Sequence, residues 1–249
     1  MKPLWKALIA CVPVALIAAC GGGDTEDRLD VADPAVRFVH ASPLAPNLTL
    51  NRANVPLAQA TNAPYKFASD YVDIDMAAVD WQVKTADVTA TTVGTVTINP
   101  ERGTKYTVVA LPGTTVGTST AYLIVDPYNK PLGSSSTRLR IMNASAGSVD
   151  LYMNAPGSDI TPAGVTPFIA GTAYKTSGPA SGNDSLDIQD GTYQATVTAA
   201  GTKTILFRGT VAFNANKDVL LIAVPDATTG VKLLMKIEGD PGAVDVPAV

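Results

Sequence analysis

One histidine, two cysteines and a 6% share of aromatic residues are sparse equipment for a chain of 249 residues, and charged side chains make up only 16%. With His40 as the sole histidine, a Ser-His-Asp triad has one possible base, and a histidine-rich metal site lacks its ligands. Cys11 and Cys20 both fall within the first twenty residues. No disulfide framework can therefore staple the remainder, and stability has to come from packed cores. The chain contains no G-x-S-x-G elbow, EF-hand loop or glycine-rich calcium repeat. Its longest uncharged apolar run, Ala7 to Ala19, is thirteen residues, short of the roughly 20 that a membrane-crossing helix needs. Basic side chains number 18 against 22 acidic ones, which argues against nucleic acid or anionic lipid as a partner. Abundant instead are Val, Thr, Ala, Gly and Pro, the composition of short strands and turns.

The N-terminus has the build of an export signal. Lys2 and Lys6 precede the apolar run, which closes on Ile17-Ala18-Ala19-Cys20 and is followed by Gly21-Gly22-Gly23. These residues resemble a bacterial lipobox. The resemblance implies cleavage before Cys20, a diacylglycerol on its thiol and acylation of the new amine, an anchor of several chains that does not release. Leu8-Ile9-Ala10-Cys11 also fits the pattern, but cutting there would leave almost no apolar region after Lys6. An ordinary signal peptide with Cys20 merely nearby is the alternative. Gly21 rather than Asp after the cysteine implies, by resemblance to Gram-negative lipoproteins, sorting to the outer membrane; in a Gram-positive cell the anchor would sit on the outer face of the plasma membrane. Removing Lys2 and Lys6 from the 18 basic residues leaves 16 against 22 acidic ones. The expected order is a signal peptide at 1–19 and an acidic, glycine-rich tether at 20–34, solvated because it has little to bury.

Beyond the tether the chain repeats itself. Val36-Arg37-Phe38-Val39-His40-Ala41-Ser42 aligns, 103 residues on, with Leu139-Arg140-Ile141-Met142-Asn143-Ala144-Ser145. Asn47-Leu48-Thr49-Leu50-Asn51 meets Asp150-Leu151-Tyr152-Met153-Asn154 at the same offset, and Gly94-Thr95-Val96 and Val108-Val109-Ala110-Leu111-Pro112 find later partners in Gly209-Thr210-Val211 and Leu221-Ile222-Ala223-Val224-Pro225. Two domains of ordinary single-core size follow: 35–130 and 138–240, joined by a Gly/Ser-rich linker at 131–137 and closed by a tail at 241–249. Within each copy, apolar runs of four to seven residues alternate every second position between Gly, Pro, Asn or Asp. Strands are expected near 36–40, 47–51, 71–76, 81–86, 93–99, 104–110 and 121–125. The fold class is all-β, two tandem immunoglobulin-like β-sandwich domains. Pro100, Gly103, Thr104 and Tyr106 resemble a sandwich corner in which a tyrosine hydroxyl bonds back to the backbone; the second copy has Asp218-Val219 at that place.

Val36-Arg37-Phe38-Val39-His40-Ala41-Ser42-Pro43-Leu44-Ala45-Pro46 resembles the opening V-R-x-x-H-A-S-P-D-A-P signature of a bacterial family, domain of unknown function (DUF) 4397. Leu44 stands where the family has aspartate, and the second copy substitutes Asn143, Ala146 and Gly147 for the His, Pro and Asp positions. The resemblance implies secreted or lipid-anchored proteins with one or two such domains. It implies no activity.

Candidate chemistry is thin. His40 shares a strand face with Val36 and Phe38, and since Asn143 matches it the common role is expected to be hydrogen bonding to the next turn. Asp70, Asp73 and Asp75 form the densest carboxylate group and are the candidates for calcium, although a solvated strand face explains them as well. Trp81, Tyr65, Tyr71 and Tyr122 would have to lie in an exposed row to stack on sugar rings; Trp81, matching Tyr193, reads as core. No cofactor is expected. The functional expectation is a membrane-anchored envelope lipoprotein with a non-enzymatic binding, adhesion or scaffolding role, whose partner is an envelope protein or polysaccharide. A glycan- or polymer-binding module and a carboxylate-dependent hydrolase are the alternatives.

Overall fold

The computed structural model describes residues 32–128, 135–227 and 230–249. The expected signal peptide, Cys20, all but the end of the tether and residues 131–134 of the expected linker lie outside that range. The described chain is all-β, its strands arranged in four sheets.

In the first copy, β1 (Ala35–His40), β4 (Val72–Asp73), β7 (Lys105–Pro112) and β8 (Ser119–Asp126) form one sheet in the order β4-β1-β7-β8. A second sheet, β3-β2-β5-β6, is built from β2 (Leu48–Arg52), β3 (Val55–Pro56), β5 (Val79–Thr85) and β6 (Thr92–Ile98). The link from β2 to β3 is a two-residue hairpin turn with Ala53 and Asn54 both at positive φ, the backbone that matches strand twist. The two sheets pack over Val36, Phe38, Leu48, Leu50, Trp81, Val83, Ile98 and Val108. Trp81 is fully buried, so the sequence reading of that residue as core is correct.

The second copy repeats this plan. β9 (Ser136–Asn143), β13 (Leu186–Gln189), β16 (Asp218–Asp226) and β17 (Gly230–Ile237) take the places of β1, β4, β7 and β8, with β12 (Thr176–Gly178) and β18 (Val244–Asp245) added to the same sheet. The facing sheet is β11-β10-β14-β15, from β10 (Val149–Asn154), β11 (Ile169–Thr172), β14 (Gly191–Ala199) and β15 (Ile205–Phe213). In both copies the first strand pairs in parallel with the seventh-position strand, β1 with β7 and β9 with β16. The repeat seen as a sequence offset is thus a repeat of topology and register.

Three details correct the sequence reading. The expected strand at 71–76 is only Val72–Asp73, so Asp75 lies past its end. Ser136 and Thr137, placed in the linker, open β9. The expected tail at 241–249 is part of the second sandwich: Ala243 and Val246 are buried, and Ala248 bridges Gly209. A Cβ on Gly209 would lie 2.5 Å from the Pro247 carbonyl oxygen, just as one on Gly94 would lie 2.5 Å from the Ala121 nitrogen. Each glycine of the repeated Gly-Thr-Val triplet lets a neighbouring segment close over the sandwich edge.

The sheets β4-β1-β7-β8 and β12-β9-β16-β17-β18 also face each other. Val39, Ala41, Val109, Leu111 and Ile124 of the first copy form one apolar cluster with Met142, Ala144, Leu220, Ile222, Val224 and Leu234 of the second. Strand periodicity explains it: on β1, residues 36, 38 and 40 point into the copy's own core, while 37 and 39, and Ala41 just past the strand's end, point to the other copy. These two inner sheets are buried on both faces, giving four layers and three interiors.

Ile222 sits in the middle interior and faces neither sandwich core. Ile222→Asp should therefore uncouple the copies, at a cost of about 3 kcal/mol or more for an unpaired buried charge, and split one denaturation transition into two. A variant unfolding in a single step at the wild-type midpoint would show that the middle layer does not couple them.

Candidate functional site

His40 is completely buried at the end of β1. Its Nδ1 accepts the Ser42 backbone N–H at 3.2 Å, and its Nε2–H donates to the Pro46 carbonyl at 3.1 Å. Burial, only partly opposed by hydrogen bonding to the Pro46 and His40 backbone, holds the imidazole below its ordinary pKa, and the neutral tautomer with one donor and one acceptor fits the partners. Asn143 does the same work in the second copy: its Oδ1 accepts from the Ser145 N–H at 2.9 Å, and its Nδ2 donates to the Gly147 and Thr172 carbonyls at 2.8 Å each. Both side chains pin the loop that leaves the first strand.

Asp70, Asp73 and Asp75 do not assemble. Asp70 lies 3.8 Å from Lys236, Asp75 pairs with Arg52 and accepts the Ala77 N–H, and Asp73 is an exposed edge residue of β4. Among the described residues, no three His, Cys, Asp or Glu side chains come together as a metal would require. The aromatic row fares the same: Trp81 is buried, and Tyr65, Tyr71 and Tyr122 are each partly covered rather than displayed. Tyr106 does form the expected corner, donating to the Asn99 carbonyl at 2.9 Å and accepting the Glu101 N–H at 3.0 Å.

What the sequence reading missed is a charged cluster between the copies. At one end of the middle interior the apolar side chains give way to Arg37, Lys105 and Asp126 from the first copy and Arg138, Arg140, Asp218, Lys236 and Glu238 from the second. The closest ion pairs across the seam in this cluster are Lys105 to Glu238 at 2.7 Å and Arg138 to Asp126 at 2.6 Å, with Arg140 to Asp126 at 3.7 Å and Lys236 to Asp70 at 3.8 Å beyond them. Arg138 also reaches Asp218, its partner in register on β16, at 3.4 Å. Ser185 donates to Asp126 at 2.9 Å, while Arg140 is satisfied by the carbonyls of Pro179 and Ala180. The Tyr128 ring meets both cations, with the Lys105 ammonium 3.9 Å and the Arg138 guanidinium 4.2 Å from its centre.

Burial dominates the titration of this cluster. It pushes the Asp218 carboxyl up to about 7 despite Arg138, with Glu238 hydrogen-bonded alongside. Burial also disfavours the Glu238 anion, but Lys105 and the bond to Asp218 outweigh it and hold that carboxyl below its usual value. The two neighbouring carboxyls thus divide the roles, one holding its proton and the other ionised.

These features define a duplicated all-β sandwich protein whose principal polar assembly lies between its two halves. Residues 34–152, just under half of the chain, match the family model described as Domain of unknown function (DUF4397); this stretch is a DUF4397 domain. The match spans the first copy, β9 and the first part of β10. A search among curated proteins finds no match.

Because asparagine performs the histidine's task in the second copy, His40→Asn should fold with little loss. His40→Ala, which strands the Ser42 N–H and the Pro46 carbonyl, should cost about 1–3 kcal/mol in urea denaturation. Equal stabilities for the two variants would refute the pinning role. Asp218, with a raised folded pKa, contributes stability that is complete below the ordinary carboxylate pKa and is lost as pH rises through about 7. Glu238 acts oppositely: its contribution is present above the ordinary glutamate pKa and lost as pH falls. Asp218→Asn should remove the first loss, so the variant gains on the wild type between roughly pH 4 and 7. Parallel stability curves over that range would sink the assignment.

Proposed function

We propose that the protein is a membrane-anchored cell-envelope lipoprotein with a non-enzymatic binding, adhesion or scaffolding role, its partner an envelope protein or polysaccharide. The anchor rests on the lipobox-like Ile17-Ala18-Ala19-Cys20 and the short apolar run before it. The single observation that carries the scaffolding part is the seam. Two sandwiches joined through a third interior and cross-seam ion pairs hold their loops in fixed relation, which suits a spacer or a two-sided docking body. A catalytic reading has less to stand on: the one histidine is taken up in backbone hydrogen bonds, and Asp70 and Asp75 turn to different cations. A sugar-stacking reading loses its platform with Trp81 in the core.

The test is fractionation of cells expressing wild-type protein or Cys20→Ala, with mass spectrometry of the N-terminal peptide and cross-linking to identify partners. The wild type should be in the membrane fraction with an acylated Cys20, and Cys20→Ala should be released or left unprocessed. An unacylated wild-type N-terminus that begins elsewhere would overturn the anchor. Loss of all cross-linked envelope partners in both forms would overturn the scaffolding role.

A further inference from the structure

At the mouth of the seam, next to the cross-seam ion pairs, lies a cavity of about 210 Å³ lined by Arg37, Ser69, Asp70, Tyr71, Lys236, Glu238 and Gly239. That is room for a small molecule, since one water occupies only about 30 Å³. Its chemistry is unbalanced. Arg37 is 95% buried (5% exposed), and its Nη1 makes no hydrogen bond, although Nε donates to Thr107 at 3.0 Å and the guanidinium lies 4.6 Å from the Tyr71 ring centre. The Lys236 side chain is 1% exposed, and its ammonium is held below its usual pKa first by burial and then by Arg37. Its bond goes to the neutral Asp240 carbonyl, and its acidic neighbour Asp70, at 3.8 Å, is 77% exposed. Glu238 is already engaged by Lys105 at 2.7 Å.

The wider cluster has the same bias. Buried or nearly buried cations are Arg37, Lys105, Arg138, Arg140 and Lys236, facing Asp126, Asp218 and Glu238, one of which holds its proton to near neutrality. Desolvated positive charge without a matching anion costs several kcal/mol per ion. An unpaired guanidinium N–H beside a buried ammonium is the donor set that recognises phosphate and carboxylate. Ser69 adds to it: its Oγ accepts the Phe38 N–H at 2.9 Å, leaving its own proton to give.

We propose that this cavity binds a small oxyanion, a phosphate or carboxylate group, between the Arg37 guanidinium, the Lys236 ammonium and the Ser69 hydroxyl. The group enters past Asp70, whose carboxylate guards the rim and turns away from Lys236 when the anion arrives. A wider groove of about 770 Å³ shares Ser69, Asp70 and Tyr71 with the cavity. The anion can therefore be free or the charged end of a larger molecule lying along Phe67, Ala68 and Pro241.

The full chain, purified in detergent, would be titrated calorimetrically with inorganic phosphate, acetate and glycerol phosphate. Saturable binding of at least one probe is expected, weakened tenfold or more by Lys236→Met and by Arg37→Met, and tightened by Asp70→Asn. Tighter binding of glycerol phosphate than of phosphate assigns the site to a charged end group, and the reverse order to a free ion. Amide NMR of the wild type gives a readout that needs no variant: phosphate should shift Ser69, Asp70, Tyr71 and Gly239 first. Absence of saturable binding by every probe, shifts confined to other regions, or unchanged affinity in folded Lys236→Met would overturn the site.

Discussion

The structure depends on the layer where the two inner sheets meet. A lone sandwich buries one face of each sheet and leaves the other to water. Here β1, β7, β9 and β16 are covered on both faces, so nearly every residue along them is buried. At about 25 cal/mol per Å² of apolar surface, the second face adds stabilisation that neither copy could reach alone. It also brings inward whatever charge the second face carries, and that obligation shapes the seam. Lys105 must meet Glu238, and Arg138 must meet Asp126, because any of these left alone between the sheets would cost about 3–5 kcal/mol.

Much of this was legible in the sequence. The offset of 103 between the Val36 and Leu139 segments placed the duplication, the period-2 runs placed the longer strands of the first copy within a residue or two, and Pro100-to-Tyr106 marked a corner whose hydroxyl bonds are present. His40 was readable as a structural residue because Asn143 stood in its place. The DUF4397 signature was readable from the residues after Val36.

The rest was hidden for one physical reason. Alternation tells which side chains share a face but not whether that face meets water or another sheet. Arg37, Lys105, Thr107, Arg138, Arg140, Asp218 and Lys236 therefore look like the solvated side of ordinary strands. The contrary signal was the run Leu220-Leu221-Ile222-Ala223-Val224, apolar on both faces and so suited to a strand covered twice. Asp70, Asp73 and Asp75 looked like a group because they are close in sequence. A β4 of two residues and three separate environments disperse them, a tertiary outcome that spacing does not encode.

Duplication explains why the seam is possible, and divergence explains why it is specific. The copies present equivalent faces: Val39 matches Met142, Ala41 matches Ala144 and Val109 matches Ile222. A face that packs on its own equivalent is the geometry of a two-fold dimer, held here within one chain. At the polar end the equivalence is broken. Lys105 occupies the register position that Asp218 occupies in the second copy, and Ala35 the position of Arg138. Two second copies placed face to face would bring Asp218 and Glu238 of each toward the other's acids, with no counterpart of Lys105 at that position to meet them. The pairing of first copy with second supplies Lys105 at that point, so the charge pattern selects the mixed pair over the second copy's self-pair. The same substitutions leave more positive than negative charge at the mouth of the seam, because Lys236 and Arg37 meet there beside Glu238, whose carboxylate Lys105 already engages. Specificity of assembly and the capacity to hold an anion then have a common origin in the divergence of one face from its copy.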